Sequence, residues 1–115
     1  MREILRELLQ TEFGYSVRLQ GSYSPAEQYP DSFFTIWGSS EDGSHYDNDA
    51  IAFVWDYTVY FYSTNPQTVV ETLAEVRKLL KKNGWIVRGK GYDVPSDEPT
   101  HTGRALDVLF VEENN

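Results

Sequence analysis

The chain has 115 residues, the size of one compact domain, and with 40% hydrophobic and 15% aromatic residues it can bury a real core. Its formal net charge is −8 and its isoelectric point lies near 4.6, which sets it against generic attraction to nucleic-acid phosphates or anionic lipid. Cysteine is absent, so disulfides and thiolate metal sites are excluded, and the chain can mature in a reducing cytoplasm.

The opening segment, "MREILRELLQTEF", predicts an amphipathic helix over residues 2–12, with Ile4, Leu5, Leu8 and Leu9 on one stripe and Arg2, Glu3, Arg6 and Glu7 around it. Gly14 ends it. The interleaved charges make the segment neither a secretory signal nor a membrane span, so the protein is expected to be soluble and intracellular where it is made. "YSVRLQG" alternates, with Tyr15, Val17 and Leu19 on one side, and predicts a short strand. "SYSPAEQYPD" has the prolines and polar residues of a loop, and "SFFTIWGS" resumes a strand through Phe33, Phe34, Ile36 and Trp37. "SSEDGSHYDNDA" then reads as a long polar turn, an arm outside the core.

Residues 51–62 carry the clearest pattern. Ile51, Phe53, Trp55, Tyr57, Val59 and Phe61 fall on one face, and Ala52, Val54, Asp56, Thr58, Tyr60 and Tyr62 on the other. The period is two, so the segment is a strand, and at about 3.4 Å per residue it spans roughly 40 Å, twice the usual length. Its second face has the amphipathic character of a protein interface, where rings are buried while hydroxyls still find partners. Cover by a helix of the same chain accounts for that face equally well.

"TNPQTVVETLAEVRKLLKKNG" predicts a second helix with defined ends: Asn65 as cap, Pro66 in the first turn and Gly84 as left-handed stop. Val69, Val70, Leu73, Val76, Leu79 and Leu80 form its apolar face. Glu71 and Glu75 come early and Arg77, Lys78, Lys81 and Lys82 late, so the basic cluster is explained by the helix dipole before any anionic partner. "WIVRGKGYDV" and "GRALDVLFVEE", joined by "PSDEPTHT", predict a closing hairpin. The expectation is a single domain over residues 1–115 of the α+β class. Two helices would pack on a mixed or antiparallel sheet of about five strands, in the order helix, three strands, helix, two strands.

Motifs for chemistry are sparse. His45, Asp47 and Asp49 are spaced so that an extended chain sets them on one side, and Asp97, Glu98 and His101 in the second polar loop add ligand types. Both loops also hold the Gly, Pro, Asn and Ser that turns require, and a chain with 18 acidic residues clusters some of them, so no metal and no cofactor is expected. No serine sits in a nucleophile elbow. "RGKGYD" lacks the Lys-Ser/Thr pair of a phosphate loop, and Gly89 and Gly91 suit a bulge or twist instead. Asp56 and Asp107 lie inside predicted strands, where acid–base work would need them buried together and a wetted sheet face is the commoner setting.

From about residue 15 to 112 the chain resembles the small tail-completion or minor capsid proteins encoded in the morphogenesis modules of long-tailed bacteriophages and prophages of Gram-positive bacteria. The resemblance is carried by the "FFTIW" strand, the "DGSHYDND" loop before "VWDYTVYFYST", and "GKGYDVPSDEPTHTGR". The element order is also similar to that of tail terminator proteins, which form rings, commonly hexamers, that cap the tail tube and join it to the head. The resemblance implies a non-enzymatic virion protein, made in the bacterial cytoplasm and placed in the tail or neck, that self-associates and meets tail-tube and head-connector proteins. Neither sequence-specific nucleic-acid binding nor a membrane is expected. The polar arm and the second face of the long strand then become the expected interface: His45, Tyr46, Asp47, Asp49, Asp56, Thr58, Tyr60 and Tyr62. The negative charge suits a channel wall past which DNA slides. The alternative of a different class is a small metal-dependent hydrolase or ligand-binding domain using His45, Asp47, Asp49 and His101. An acidic mimic of DNA fits the charge but lacks a continuous acidic face.

Overall fold

The computed structural model of the chain describes residues 1–19, 29–38, 44–46, 52–96 and 98–113, of which 44–46, 52, 53 and 113 are described in their backbone alone. The elements run α1 (Arg2–Phe13), β1 (Ser16–Leu19), β2 (Ser32–Gly38), β3 (Ser44–Tyr46), β4 (Ala52–Ser63), α2 (Pro66–Lys82), β5 (Ile86–Val94) and β6 (Thr102–Glu113). This is the expected α+β order, with one addition. Three residues of the polar arm, 44–46, return as β3 antiparallel to the start of β4, because an extended chain beside a strand that long finds free ladder groups to pair with. The rest of the arm, with Asp47 and Asp49, lies outside the described residues.

The strands form one mixed sheet in the order β1-β2-β4-β6-β5, with β3 beside β4. β1 and β2 are parallel, and the other pairs are antiparallel. β4 and β6 pair along their whole length, from Ala52 opposite Glu113 to Ser63 opposite Thr102, and make the spine of the molecule. β5 and β6 form the expected hairpin.

Both helix stops fall where the sequence puts them. Gly14 and Gly84 take φ 76° and 87°. After α2 the Trp85 N–H reaches the Leu80 carbonyl at 2.9 Å and the Gly84 N–H the Lys81 carbonyl at 3.3 Å, a Schellman closure that leaves Trp85 and Leu80 both in the core. At the other end of α2 the Asn65 side-chain oxygen accepts the Gln67 N–H at 3.0 Å.

Leu5 and Leu9 of α1 and Val69, Leu73, Val76 and Leu80 of α2 meet Phe34, Ile36, Tyr57, Val59, Phe61, Leu106 and Val108 in one cluster. The strand residues in that cluster share a single face of the sheet. The two helices therefore lie on the same side, and the Tyr57–Val59–Phe61 face of β4 is the covered one. The face that holds Asp56, Thr58, Tyr60 and Tyr62 carries neither helix.

Candidate functional site

The face that carries no helix is built as cross-strand rows, because residues opposite one another in an antiparallel pair point the same way, and Phe33, Thr35 and Ala105 on it are buried within the chain. Phe33, Tyr62, Gly103 and Val94 make one row across β2, β4, β6 and β5. Thr35, Tyr60, Ala105 and Tyr92 make the next, and Trp37, Thr58, Asp107 and Arg88 the third. Tyr60 and Tyr62 are half-buried, while Trp37 and Tyr92 are 46% and 45% exposed.

The aromatic rings are in contact. Tyr62 stacks on Phe33 with centroids 5.2 Å apart and planes 25° apart, and lies 6.3 Å from Tyr60 with planes nearly parallel. Gly103 makes this possible: a β-carbon there would stand 2.5 Å from the Tyr62 ring, so only glycine lets the ring lie down over β6. At the end of the row His101 meets Phe33 and Tyr29 edge-on. Its Nε2–H donates to the Pro30 carbonyl at 2.7 Å, and the Thr100 hydroxyl meets Nδ1 at 3.0 Å, so this imidazole ties the loop before β6 to the approach to β2.

The polar residues are just as closely matched. Asp107 accepts from the Thr58 hydroxyl at 2.9 Å and from the Tyr92 hydroxyl at 3.1 Å through the same carboxylate oxygen. Arg88 stands 3.8 Å from the Asp56 carboxylate. Asp56 and Asp107 thus share a face, each with its own partner. Among the described residues no buried side-chain nitrogen or oxygen lacks a hydrogen bond. The polar groups among these rings are thus satisfied within the chain and need little from any partner.

Burial, then the bond to Asp107 and the charge of that carboxylate, push the Tyr92 phenol up to about 12. The unfolded chain ionises it near 10, so its contribution to stability is fully present below pH 10 and is lost as the pH rises from about 10 to about 12. An ultraviolet phenolate titration of the parent minus Tyr92→Phe should show this one group ionising late. A difference curve centred at 10 would put the hydroxyl in open water instead.

Of the expected interface residues, Asp56, Thr58, Tyr60 and Tyr62 come together on this face. Asp47 and Asp49 lie outside the described residues, and His45 and Tyr46 are placed by the backbone of β3, opposite Phe53 and Ala52. Of the alternative ligand set, His45 and His101 stand apart. His45 is level with Phe53 at one end of β4, whereas His101 adjoins Thr102, level with Ser63 at the other, ten residues or roughly 33 Å along the strand. Asp97 lies outside the described residues, and Glu98 contributes its carbonyl to a turn with the His101 N–H.

Sequence reasoning missed Phe33, Trp37, Arg88 and Tyr92 as members of this face. The signal for the first two was present in the alternation of "FFTIW", where Phe33, Thr35 and Trp37 fall on the side opposite Phe34 and Ile36. No protein-family model matches this sequence, and no curated protein matches it.

Proposed function

We propose that the protein is a structural subunit of a phage or prophage virion, of the tail-completion, terminator or head–tail connector kind, which self-associates into a ring in the tail or neck. It works by burying the helix-free sheet face against a neighbouring subunit. The observation that carries this reading is the one-sided architecture: both helices occupy one face of the sheet, and the other offers joined rings around hydrogen-bonded Thr58, Asp107 and Tyr92. The sequence resemblance supplies the setting. The free edges favour the face over edge pairing as the contact, since β1 is only four residues long and β5 is interrupted by a bulge between Arg88 and Tyr92. Among the described residues no helix is long and apolar enough to cross a membrane, and α1 and α2 pack on one face of the sheet.

Electron microscopy of the purified protein, alone and with tail-tube protein, tests the reading against Tyr60→Asp and Tyr62→Asp. The parent should form rings or cap tubes. The variants should keep the parental circular dichroism and fail to assemble, because a carboxylate at the centre of a closing interface loses water without gaining a partner. Normal tails from both variants would remove this face from the assembly.

A further inference from the structure

The turn that ends α2 carries the only Asn–Gly pair in the sequence, Asn83 and Gly84. We propose that this pair is a site of self-modification: when the last turn of α2 opens, the Gly84 backbone nitrogen closes on the Asn83 side chain, which becomes aspartate or isoaspartate.

The chemistry needs no reagent but water. The Gly84 nitrogen bonds to Asn83 Cγ, the Cγ–Nδ2 bond breaks, and Nδ2 leaves as ammonia with the proton from the Gly84 amide. The product is a five-membered imide, and water then opens either of two of its carbon–nitrogen bonds. Opening at Cγ gives aspartate on the original backbone. Opening at the main-chain carbonyl gives isoaspartate, whose backbone runs through the former side chain and is longer by a methylene. Glycine favours the attack because no β-carbon stands beside the nitrogen, and asparagine is among the thermally labile side chains.

The closed turn holds the reacting groups apart. Asn83 Nδ2–H donates to the Leu79 carbonyl at 2.8 Å, and the Asn83 backbone N–H is shared between the Leu79 and Leu80 carbonyls at 3.1 Å each. The imide closes only when the Gly84 nitrogen eclipses Cβ about the Cα–C bond of Asn83. At the observed ψ of 18° it nearly eclipses the Asn83 nitrogen instead, about a third of a turn away. Opening is nonetheless within reach. The Gly84 N–H meets the Lys81 carbonyl at 3.3 Å, the longest of the bonds that close this end, and both residues of the pair are exposed. Asn83 also borders a groove of about 440 Å³ that it shares with Ile4, Leu8, Trp85 and Phe110, so its side chain can turn without displacing packed neighbours. Helix ends open at a lower free energy than the whole domain.

The product cannot remake the cap. A carboxylate replaces the amide donor and faces the Leu79 carbonyl, acceptor against acceptor, at the negative end of the helix dipole. In isoaspartate the added methylene also shifts Trp85, which the closed turn sets into the core through the bond from its N–H to the Leu80 carbonyl at 2.9 Å. A modified chain therefore stays loosened at this end, where Trp85 packs on Phe110 with ring centroids 5.1 Å apart.

Incubation of the intact chain at mildly alkaline pH, followed by peptide mapping and an enzymatic isoaspartate assay, tests the site. Asn83 should be converted, with one more negative charge visible on isoelectric focusing, and at least about tenfold more slowly in buffer than in unfolding urea. Through a series of urea concentrations below the unfolding transition the rate should climb, because the reactive state is a local opening. Trp85→Phe, which keeps a ring in the core but loosens the anchor of the turn, should speed conversion, and Asn83→Gln should leave the peptide unmodified. Conversion at one rate in buffer and in unfolding urea would show that the closed turn guards nothing. A rate that rises only with global unfolding, a Trp85→Phe chain no faster than the parent, or conversion confined to other asparagines would each overturn the proposal.

Discussion

Phe61→Ala is expected to lower stability by about 3–5 kcal/mol, whereas Tyr60→Ala, its neighbour on β4, should lower it by no more than about 1–2 kcal/mol. Phe61 is fully buried beneath the helices, with its ring 4.6 Å from Phe34 and 5.3 Å from Tyr15. Truncation there leaves a cavity between sheet and helices that the surrounding core cannot fill. Tyr60 is half-buried on the other face, and its truncation forfeits a stack with Tyr62 but opens only toward solvent. A domain of this size is held by about 5–15 kcal/mol in total, so the first substitution removes a large share of it. Urea unfolding of both variants at a common m-value measures the difference, and an assembly assay reverses the ranking: Tyr60→Ala, still folded, is the one expected to fail. Equal destabilisation by the two substitutions would mean that both faces of β4 are covered within one chain.

That contrast marks the limit of what the sequence discloses. The alternation of residues 51–62 identifies the strand and sorts its side chains onto two faces, but both faces are rich in aromatic residues, so composition alone leaves the covered one undecided. The decision is made by non-local pairing. β6 inserts between β4 and β5, and both pair with it antiparallel, which makes β5 parallel to β4 and α2 the crossover between them. A crossover must pass over one face of the sheet, and its side follows from the handedness of the whole unit and not from any local pattern. α1 joins α2 there because Val17 and Leu19 turn the apolar side of β1 toward the same core.

The candidate site follows the same division. Asp56, Thr58, Tyr60 and Tyr62 were legible because one strand carries all four at a period of two. Arg88 and Tyr92 were not, because "GKG" suggests the bulge that the structure has but not how many residues it takes up, and so not the face on which the strand resumes. The register shows what the bulge does. Four steps on β5, from Arg88 to Tyr92, match two steps on β6, from Asp107 to Ala105, so two extra residues are taken up and both side chains stay on the helix-free face. The metal-ligand residue types of the two polar loops were equally visible, but spacing in sequence says nothing about which ends of β4 the loops occupy, and His45 and His101 fall at opposite ends.

The bulge gives the last prediction. Gly89 and Gly91 both have positive φ, 72° and 97°, but they differ in surroundings. A β-carbon on Gly89 meets nothing within 4 Å, whereas one on Gly91 stands 2.9 Å from the Ala105 carbonyl oxygen and 3.0 Å from a Leu73 methyl carbon. Gly89→Ala therefore introduces only the backbone strain of an L-residue in that region, about 1 kcal/mol, reduced by whatever entropy the unfolded chain loses. Gly91→Ala adds a clash with β6 backbone, which cannot rotate away, and is expected to destabilise by about 2–4 kcal/mol. The damage should also be directional. The bulge is held to α2 by the Arg77 Nε–H, which donates to the Gly89 carbonyl at 3.1 Å, so strain at Gly91 is relieved most readily by moving the far side of the bulge, which carries Tyr92. Its hydroxyl should then leave Asp107, and the late-ionising phenol of the parent should return toward its ordinary value in Gly91→Ala while staying near 12 in Gly89→Ala. Equal stability losses in the two variants, with an unchanged Tyr92 titration in both, would show that the bulge neither bears on β6 nor positions the tyrosine.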